Sequence, residues 1–450
     1  MTAEGPASAG GPSPSSAGIT LAGPAARGPL LALLLAVPVG LLCGASSALF
    51  LYLLDLATQT RLAHEWLVYL LPVAGGLLGV VWERYAGAAA GGFGTILDRL
   101  HDGGPAIPKR MVPLALGGTV VTHLFGGSAG REGTAVQMGG SIADTLLHRL
   151  GLASNAALRS TVLASGIAGG FGAVFGTPLA GTVFGLESVA LYRLRLGALP
   201  AALVAAFVGD YACRRLGTVH TPYPQIDAPA LWGATSGALA GAGSASLFGA
   251  GLWRWLLFAS AVAVVARAFI GLTHLLKRKG ARLSAWMRLG LGGALVVLLW
   301  KLAGTSDYLG LGVPGILRAF HDGGLPGEAF ALKLLFTAVT VGLGFIGGEV
   351  TPLFFVGASL GNLLSRLLAL PLGLSAAVGL AAVFGAAANA PLALAVMAAE
   401  LAGWAVFPYA LVVCVGAFLL TGMRGIYPAQ RAHRHKHGPE LERPGVLRDL

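Results

Sequence analysis

A glycine-rich segment in the first half of the chain carries an arginine and a glutamate beside each other. Residues 126–134 read Gly-Gly-Ser-Ala-Gly-Arg-Glu-Gly-Thr, and an apolar stretch follows them. Glycines leave backbone N–H groups free to face a ligand, and the N-terminus of the following helix adds a partial positive charge. The segment is therefore suited to holding an anion, and the carboxylate of Glu132 is placed to occupy the anion's own position.

A second acidic segment repeats this pattern later in the chain. Residues 347–352 read Gly-Gly-Glu-Val-Thr-Pro, and they echo residues 130–137. Pro178 to Glu187 is echoed in the same order by Pro391 to Glu400. Two similar halves with interrupted apolar segments are typical of transporters whose ion site forms near mid-membrane. We predict two internal repeats, at about 28–215 and 230–427.

The composition places these segments in a membrane. Of 450 residues, 55% are hydrophobic and 11% charged, which excludes an ordinary soluble protein and predicts a multi-pass membrane protein in contact with lipid. Several apolar runs are too short to span a bilayer upright, so broken and re-entrant helices are expected. The net charge of +11 comes from loops and the tail, which is typical of membrane anchors and does not indicate nucleic-acid binding.

The ends of the chain differ from its apolar body. Residues 1–27 are rich in Ala, Gly, Pro and Ser and are predicted to form a disordered leader. Residues 28–427 form the predicted transmembrane domain, and 428–450 a basic tail with no regulatory domain. The three cysteines have no metal-ligand spacing, so neither a metal nor a cofactor is expected. An intramembrane hydrolase is disfavoured because no zinc or nucleophile motif occurs, and His123 is the only histidine near Glu132.

Four stretches together resemble the CLC family of anion channels and anion/proton antiporters. They are residues 130–133, 347–352, the Phe-Gly-Thr-Pro-Leu-Ala run at 175–180, and Tyr427 after the last apolar helix. The resemblance covers about 28–427. It implies an all-α inverted-repeat bundle with tilted, broken and re-entrant helices, which forms a homodimer with one pore per subunit. Within it, Glu132 matches the external gating glutamate, and Tyr427 matches the tyrosine that coordinates the central anion.

The departures from the usual family motifs are informative. The gating motif ends in Gly133-Thr134 where chloride-type members usually have proline, and Phe93 stands where a serine usually lies between two glycines. Residues 348–352 introduce Glu349, and the internal proton-transfer glutamate of chloride antiporters aligns with Ser188. These changes resemble the bacterial fluoride/proton antiporter branch of the family.

Fluoride is small, strongly hydrated and a better hydrogen-bond acceptor than chloride, so its site should offer strong donors in a tight, dry place. The predicted function is proton-coupled fluoride export across the bacterial inner membrane. Glu132 and Glu349 are the candidates for gating and proton transfer. The candidate anion-binding residues are Phe93, Gly130, Arg131, Gly133, Thr134, Val350, Thr351 and Tyr427.

Other interpretations stay open at this stage. A chloride/proton antiporter or a chloride channel has the same fold. Some residues also have purely structural alternatives: a helix cap for Glu132, loop support for Arg131, a paired buried acid for Glu349, packing for Phe93 and an interfacial position for Tyr427. Glu187 and Glu400 each follow an apolar helix and are interpreted as marking its aqueous end.

Overall fold

The computed structural model describes residues 24–226, 251–321, 324–434, 436 and 440–449. These residues fold into a helical bundle. In the first half the α-helices are α1 (Pro24–Ala63), α2 (Leu71–Tyr85), α3 (Phe93–Asp102), α4 (Met111–Leu124), α5 (Glu132–Arg149), α6 (Ala156–Phe175), α7 (Pro178–Glu187) and α8 (Leu199–Arg215). In the second half they are α9 (Leu252–Gly280), α10 (Ala285–Ala303), α11 (Val313–Arg318), α12 (Ala329–Gly342), α13 (Val350–Leu368), α14 (Leu372–Ala388), α15 (Pro391–Ala402) and α16 (Phe407–Thr421).

Helix length follows the apolar pattern of the sequence. Eight helices of the described chain are long and apolar enough to cross a bilayer, whereas α4, α12, α14 and α15 are apolar but shorter. Both α4 and α12 end at a glycine-rich segment that leads into the next helix. The predicted mixture of spanning and broken helices is confirmed. The predicted leader and the start of the second repeat lie largely outside the described residues.

The two halves exchange helix caps across the centre of the bundle. The Glu187 carboxylate, at the end of α7, accepts hydrogen bonds from Leu392 N at 3.0 Å and Ala393 N at 2.7 Å, at the start of α15. The Glu400 carboxylate, at the end of α15, accepts from the matching amides at the start of α7, again at 3.0 and 2.7 Å. Each helix end therefore meets the other's beginning, and α7 and α15 are antiparallel. The two repeats are therefore inverted relative to each other, which the sequence repeat alone does not show.

The interpretation of these two glutamates as aqueous helix ends is wrong for Glu187. Glu187 is only 8% exposed. The Glu400 carboxylate likewise accepts hydrogen bonds from backbone amides of the other half. The physical reason is that the first amides of a helix have no partner inside it, and a carboxylate satisfies two of them while meeting the positive helix end.

Glycines allow pairs of helices to approach closely in both halves. A Cβ on Gly139 of α5 would lie 2.1 Å from the carbonyl oxygen of Gly166 in α6. The same holds for α13 and α14, where a Cβ on Gly357 would lie 2.0 Å from the Gly379 oxygen. In lipid the hydrophobic effect does not drive helices together, so their association depends on close packing. Small residues at the crossings allow the two backbones to come into contact.

The basic tail forms a small sheet that the sequence did not predict. Strand β1 (Ala190–Leu191) follows α7 and pairs in parallel with β2 (Arg431–Arg434), which pairs antiparallel with β3 (Glu440–Val446). Just before β2, Gln430 donates to the Ser188 and Ala388 carbonyl oxygens at 2.9 and 2.8 Å. The tail is thereby fastened to the ends of α7 and α14.

Candidate functional site

Two glycine-rich segments meet at the centre of the bundle. Gly130 N donates to the Gly348 oxygen at 2.5 Å, and Gly348 N donates to the Gly130 oxygen at 2.7 Å. This pair of bonds is an isolated antiparallel bridge. Because α5 begins at Glu132 and α13 at Val350, the bridge holds two helix N-termini side by side. Their unpaired amides and dipoles create one electropositive position inside an apolar bundle.

The Glu132 carboxylate occupies this position. The residue is fully buried. Its Oε2 accepts hydrogen bonds from Arg131 N at 3.0 Å and from Thr351 N at 3.2 Å, and its Oε1 accepts from the Thr351 hydroxyl. A side chain from one half is therefore bound by donors of the other half. The Glu132 carboxylate therefore fills a position between two helix N-termini, which is where the sequence analysis expects an anion.

Space around the carboxylate is limited by glycine and proline. A Cβ on Gly130 would lie 2.7 Å from Glu132 Oε2 and 3.0 Å from Pro352 Cδ. A Cβ on Gly133 would lie 3.0 Å from the Gly348 α-carbon. A side chain at either position would clash with its neighbours, so glycine is needed at both. The two glycines contribute backbone groups and space to the site.

Arg131 lies between the seat and a neighbouring cavity. Its Nε is 3.4 Å from Glu132 Oε1, and the side chain lines a cavity of about 870 Å³. The backbone N–H of Arg131 donates to the Glu132 carboxylate, and its guanidinium lies beside the same carboxylate, so Arg131 contributes both a donor and a charge.

Residues 126–131, which lead into Glu132, are held by side chains that are not among the predicted site residues. His123 of α4 is fully buried, and its two ring nitrogens lie 2.8 Å from the Thr119 oxygen and 2.9 Å from the Ala129 oxygen. Ser128 N donates to Thr340 Oγ1 at 3.1 Å, which ties the loop to α12. The signal available in the sequence was the presence of His123 close to the motif.

Glu349 lies next to the seat but outside it. It is the residue immediately before α13 and is partly exposed. Its Oε2 is 4.0 Å from the position of a Cβ on Gly133. Glu132 and Lys277 lie within electrostatic range of this carboxyl. The structure therefore brings both candidate acids to the same helix junction, with one seated and one beside it.

Thr134 and Thr351 are not equivalent. The Thr134 hydroxyl lies 2.6 Å from Thr119 Oγ1. The Thr119 hydroxyl itself donates to the Ala115 oxygen at 2.7 Å, so Thr134 is the donor in the pair. The Thr134 hydroxyl therefore faces α4 and not the carboxylate, whereas Thr351 donates directly to Glu132. Val350, the remaining candidate on α13, is buried and apolar and has only its backbone to offer.

Phe93 and Tyr427 form an aromatic pair. Phe93 begins α3, and its ring meets the Tyr427 ring edge-on with centroids 4.8 Å apart. From Phe93 the aromatic contacts continue through Phe184 to Phe384 at centroid distances of 6.5 and 6.3 Å. Both Glu132 and Glu349 lie within electrostatic range of the Tyr427 hydroxyl. Phe93 is thus placed beside the proposed pore tyrosine, although its ring carries no donor.

Comparison with known proteins finds matches over most of the chain. Residues 74–422 match the family described as voltage gated chloride channel. The chain is 44% identical to a "Chloride/fluoride channel protein" of Pseudomonas syringae pv. tomato over 93% of this chain and 90% of that protein. It is 28% identical to the "H(+)/Cl(-) exchange transporter ClcA" of Vibrio vulnificus strain YJ016, over 81% of this chain and 80% of that protein.

Solved structures give the same result for the fold. The crystal structure of a CLC-type fluoride/proton antiporter superposes with a TM-score of 0.82 at 32% identity, covering 90% of this chain and 98% of that one. A slow cyanobacterial Cl⁻/H⁺ antiporter superposes with a TM-score of 0.73 at 20% identity, covering 87% and 94%. The second likeness concerns the fold alone.

Proposed function

Since the chain belongs to the voltage gated chloride channel family, we propose that it is a secondary active transporter that exchanges fluoride for protons, with Glu132 as the gate. The observation that carries this proposal is the Glu132 carboxylate, seated between two helix N-termini and bound by both the amide and the hydroxyl of Thr351. The 44% identity to a chloride/fluoride channel protein and the likeness to a fluoride/proton antiporter support it.

The proposed cycle follows from competition for one seat. As a carboxylate, Glu132 accepts the Thr351 donors and blocks the anion. After protonation it loses its charge and leaves, and a fluoride ion takes the same donors. The Glu132 carboxylate and the anion therefore exclude each other at this position, and protonation of Glu132 decides which of them occupies it, which couples proton movement to anion movement. Glu349 lies beside the seat and is assigned the proton route, and Tyr427 with Phe93 closes the other side.

Fluoride is favoured over chloride by the donor chemistry. A hydroxyl and an amide in a buried position form short bonds with a small, strongly accepting anion, and these bonds offset the loss of its hydration. Phe93 contributes no hydroxyl at the position where chloride-type members usually have serine. A chloride/proton antiporter and a chloride channel remain the alternative functions, because Glu132 as a gate is compatible with each.

Liposome transport of the purified protein tests this function directly. Proton uptake and anion efflux are recorded together from vesicles loaded with fluoride or with chloride. The proposal requires fluoride efflux that drives protons against their gradient, with little chloride flux. Glu132→Gln cannot ionise, so it should carry fluoride without strict proton coupling. Chloride flux as large as fluoride flux, or strict coupling in Glu132→Gln, would contradict the fluoride assignment or the gating assignment, respectively.

We also propose that two subunits associate in the bacterial inner membrane. The face of α8 displays a helically spaced series of exposed apolar side chains, namely Leu199, Leu203, Phe207 and Tyr211. A bilayer or a second copy of the chain would cover such a face. Mass measurement of the detergent-solubilised protein by light scattering distinguishes a dimer from a monomer.

A further inference from the structure

A buried glutamine amide joins the C-terminal ends of two helices, one from each half of the chain. Gln430 is fully buried, and its Nε2 donates to the Ser188 oxygen at 2.9 Å and to the Ala388 oxygen at 2.8 Å. Its Oε1 accepts from Asn389 Nδ2 at 3.1 Å. The last carbonyl groups of a helix have no partner inside it. The amide of Gln430 satisfies one such carbonyl from α7 and one from α14.

The same turn carries Tyr427, and it is fixed on both sides of this residue. Before it, Ile426 N donates to the Ala387 oxygen at 2.9 Å, and after it, Gln430 N donates to the Tyr427 oxygen at 3.1 Å. The Tyr427 ring then meets the Phe93 ring edge-on at 4.8 Å. The backbone of Tyr427 is therefore fastened to the end of α14, which aims its ring at the start of α3.

The tail completes the hydrogen-bond network around Gln430. Leu447 N donates to the Gln430 oxygen at 2.9 Å. The buried ammonium of Lys436 donates to Asn389 Oδ1 at 2.7 Å, and Asn389 Nδ2 also donates to the Arg424 oxygen at 3.1 Å. A buried network in which each amide group has a partner is rigid, and the loss of one donor leaves other buried groups unsatisfied.

We infer that Gln430 is a positioning residue for Tyr427, which keeps anion movement coupled to proton movement. The inference rests on the proposed function, in which Tyr427 closes the path opposite Glu132. While the protonated Glu132 is away from its seat, the Tyr427 ring must hold the other side closed. If the turn at Gln430 loosens, the ring no longer stays in place, and an anion crosses without waiting for a proton.

Two variants of Gln430 separate its hydrogen bonds from its size. Gln430→Glu keeps the shape, but a carboxylate has no donor for the two carbonyl oxygens and its charge meets the negative ends of two helices. Gln430→Leu removes all polar atoms. The matched control is Gln225→Glu, because the Gln225 amide also donates to two carbonyl oxygens, those of Tyr223 at 3.2 Å and Leu401 at 2.8 Å.

Each protein is reconstituted at acidic pH, and the number of protons moved per fluoride ion is measured at acidic and at neutral pH. At neutral pH we expect Gln430→Glu and Gln430→Leu to raise the uncoupled share of fluoride flux about tenfold, the scale of leaving a buried carbonyl unpaired. At acidic pH the introduced carboxyl takes up a proton and regains an O–H donor. Coupling should therefore recover in Gln430→Glu but not in Gln430→Leu, and Gln225→Glu should match the wild type at both pH values.

Wild-type coupling in both Gln430 variants at neutral pH would overturn the inference, even if their unfolding temperatures fell, since the network would then serve stability alone. Equal loss of coupling in Gln430→Glu at both pH values would also overturn it. If Gln430→Leu does not fold, Asn389→Gly takes its place. Glycine suits the positive φ of +56° at this position, and the change removes the amide that holds Gln430 Oε1.

Failure of the proposed function gives a different result. A wild type that moves fluoride without protons would refute the exchange, and the role of Gln430 would fall with it. A coupled wild type with equally coupled Gln430 variants would refute the role of Gln430 alone. If the wild type exchanges chloride instead, the same comparison is made with chloride.

Discussion

The Thr351 hydroxyl is the only side-chain group among the described residues that donates a hydrogen bond to the Glu132 carboxylate, and replacing it tests the proposed basis of selectivity. Thr351→Val keeps the shape and the backbone amide and removes one O–H donor. The donor is shared by two occupants of the seat, the carboxylate and the anion. Thr351→Val should therefore weaken both the binding of the Glu132 carboxylate and the binding of fluoride. The ratio of fluoride flux to chloride flux shows how much more one anion depends on the hydroxyl than the other.

The expected magnitude follows from hydrogen-bond energetics. A buried hydrogen bond to a charged acceptor contributes about 1.5–3 kcal/mol, and one to a weaker acceptor about 1 kcal/mol. Fluoride should therefore lose about 0.5–2 kcal/mol more than chloride, which corresponds to a roughly two- to thirtyfold fall in fluoride-over-chloride selectivity. Parallel efflux measurements from fluoride-loaded and chloride-loaded liposomes give this ratio.

Thr182→Val is the matched control. Thr182 is buried, and its hydroxyl donates only within α7, to the Pro178 oxygen at 2.8 Å. The control should keep the wild-type selectivity. If Thr351→Val also kept it, with a normal rate, then the hydroxyl would not contact the transported anion and the argument for fluoride from donor chemistry would fail.

Two further substitutions probe the frame around the seat. Gly130→Ala places a Cβ 2.7 Å from Glu132 Oε2, so the carboxylate must move, and coupled fluoride flux should fall by about tenfold or more in the liposome assay. Glu187→Gln leaves one of the two capped amides without an acceptor and removes the charge. The free energy of unfolding should therefore fall by about 1–3 kcal/mol. The unfolding temperature in detergent should be lower, while transport per folded molecule persists.

A second variant elsewhere in the bundle serves as the comparison for each of these changes. Gly271→Ala adds a Cβ that meets nothing within 4 Å, so it should leave flux unchanged, and equal behaviour of the two alanine variants would count against the steric argument. Glu400→Gln breaks the symmetry-related cap and should lower the unfolding temperature in the same way as Glu187→Gln. An unfolding temperature unaffected by either change would show that the caps contribute little.

The place of Glu132 at a helix N-terminus could be predicted from the sequence, because it depends on local pattern. The pattern of glycines, a glutamate and a helix start lies within a few residues. It therefore predicts an anion position without reference to the rest of the fold, and Glu132 lies at that helix start. Thr351 was also selected, from the repeat. Its contact with Glu132 spans 219 positions, and only the packed bundle reveals which of the two threonine candidates faces the carboxylate.

The residues that were missed are defined by long-range contacts. Gln430 lies in the basic tail of the sequence, yet it is fully buried and donates to the ends of α7 and α14. Glu187 was misinterpreted because a charge after an apolar run usually marks a water boundary, whereas here another helix begins at that point. The tail sheet depends on pairing between Ala190 and Arg431, and short strands at such separation have no local signal.

The reciprocal glutamate caps have a consequence for how transport can occur. Any rocking of one repeat against the other would separate each carboxylate from the amides of the opposite half and would also break the Gly130–Gly348 bridge. Several charge-assisted bonds would be lost in a dry interior at every turnover. We therefore expect the two halves to stay fixed against each other during transport, so that the movement is confined to side chains such as Glu132.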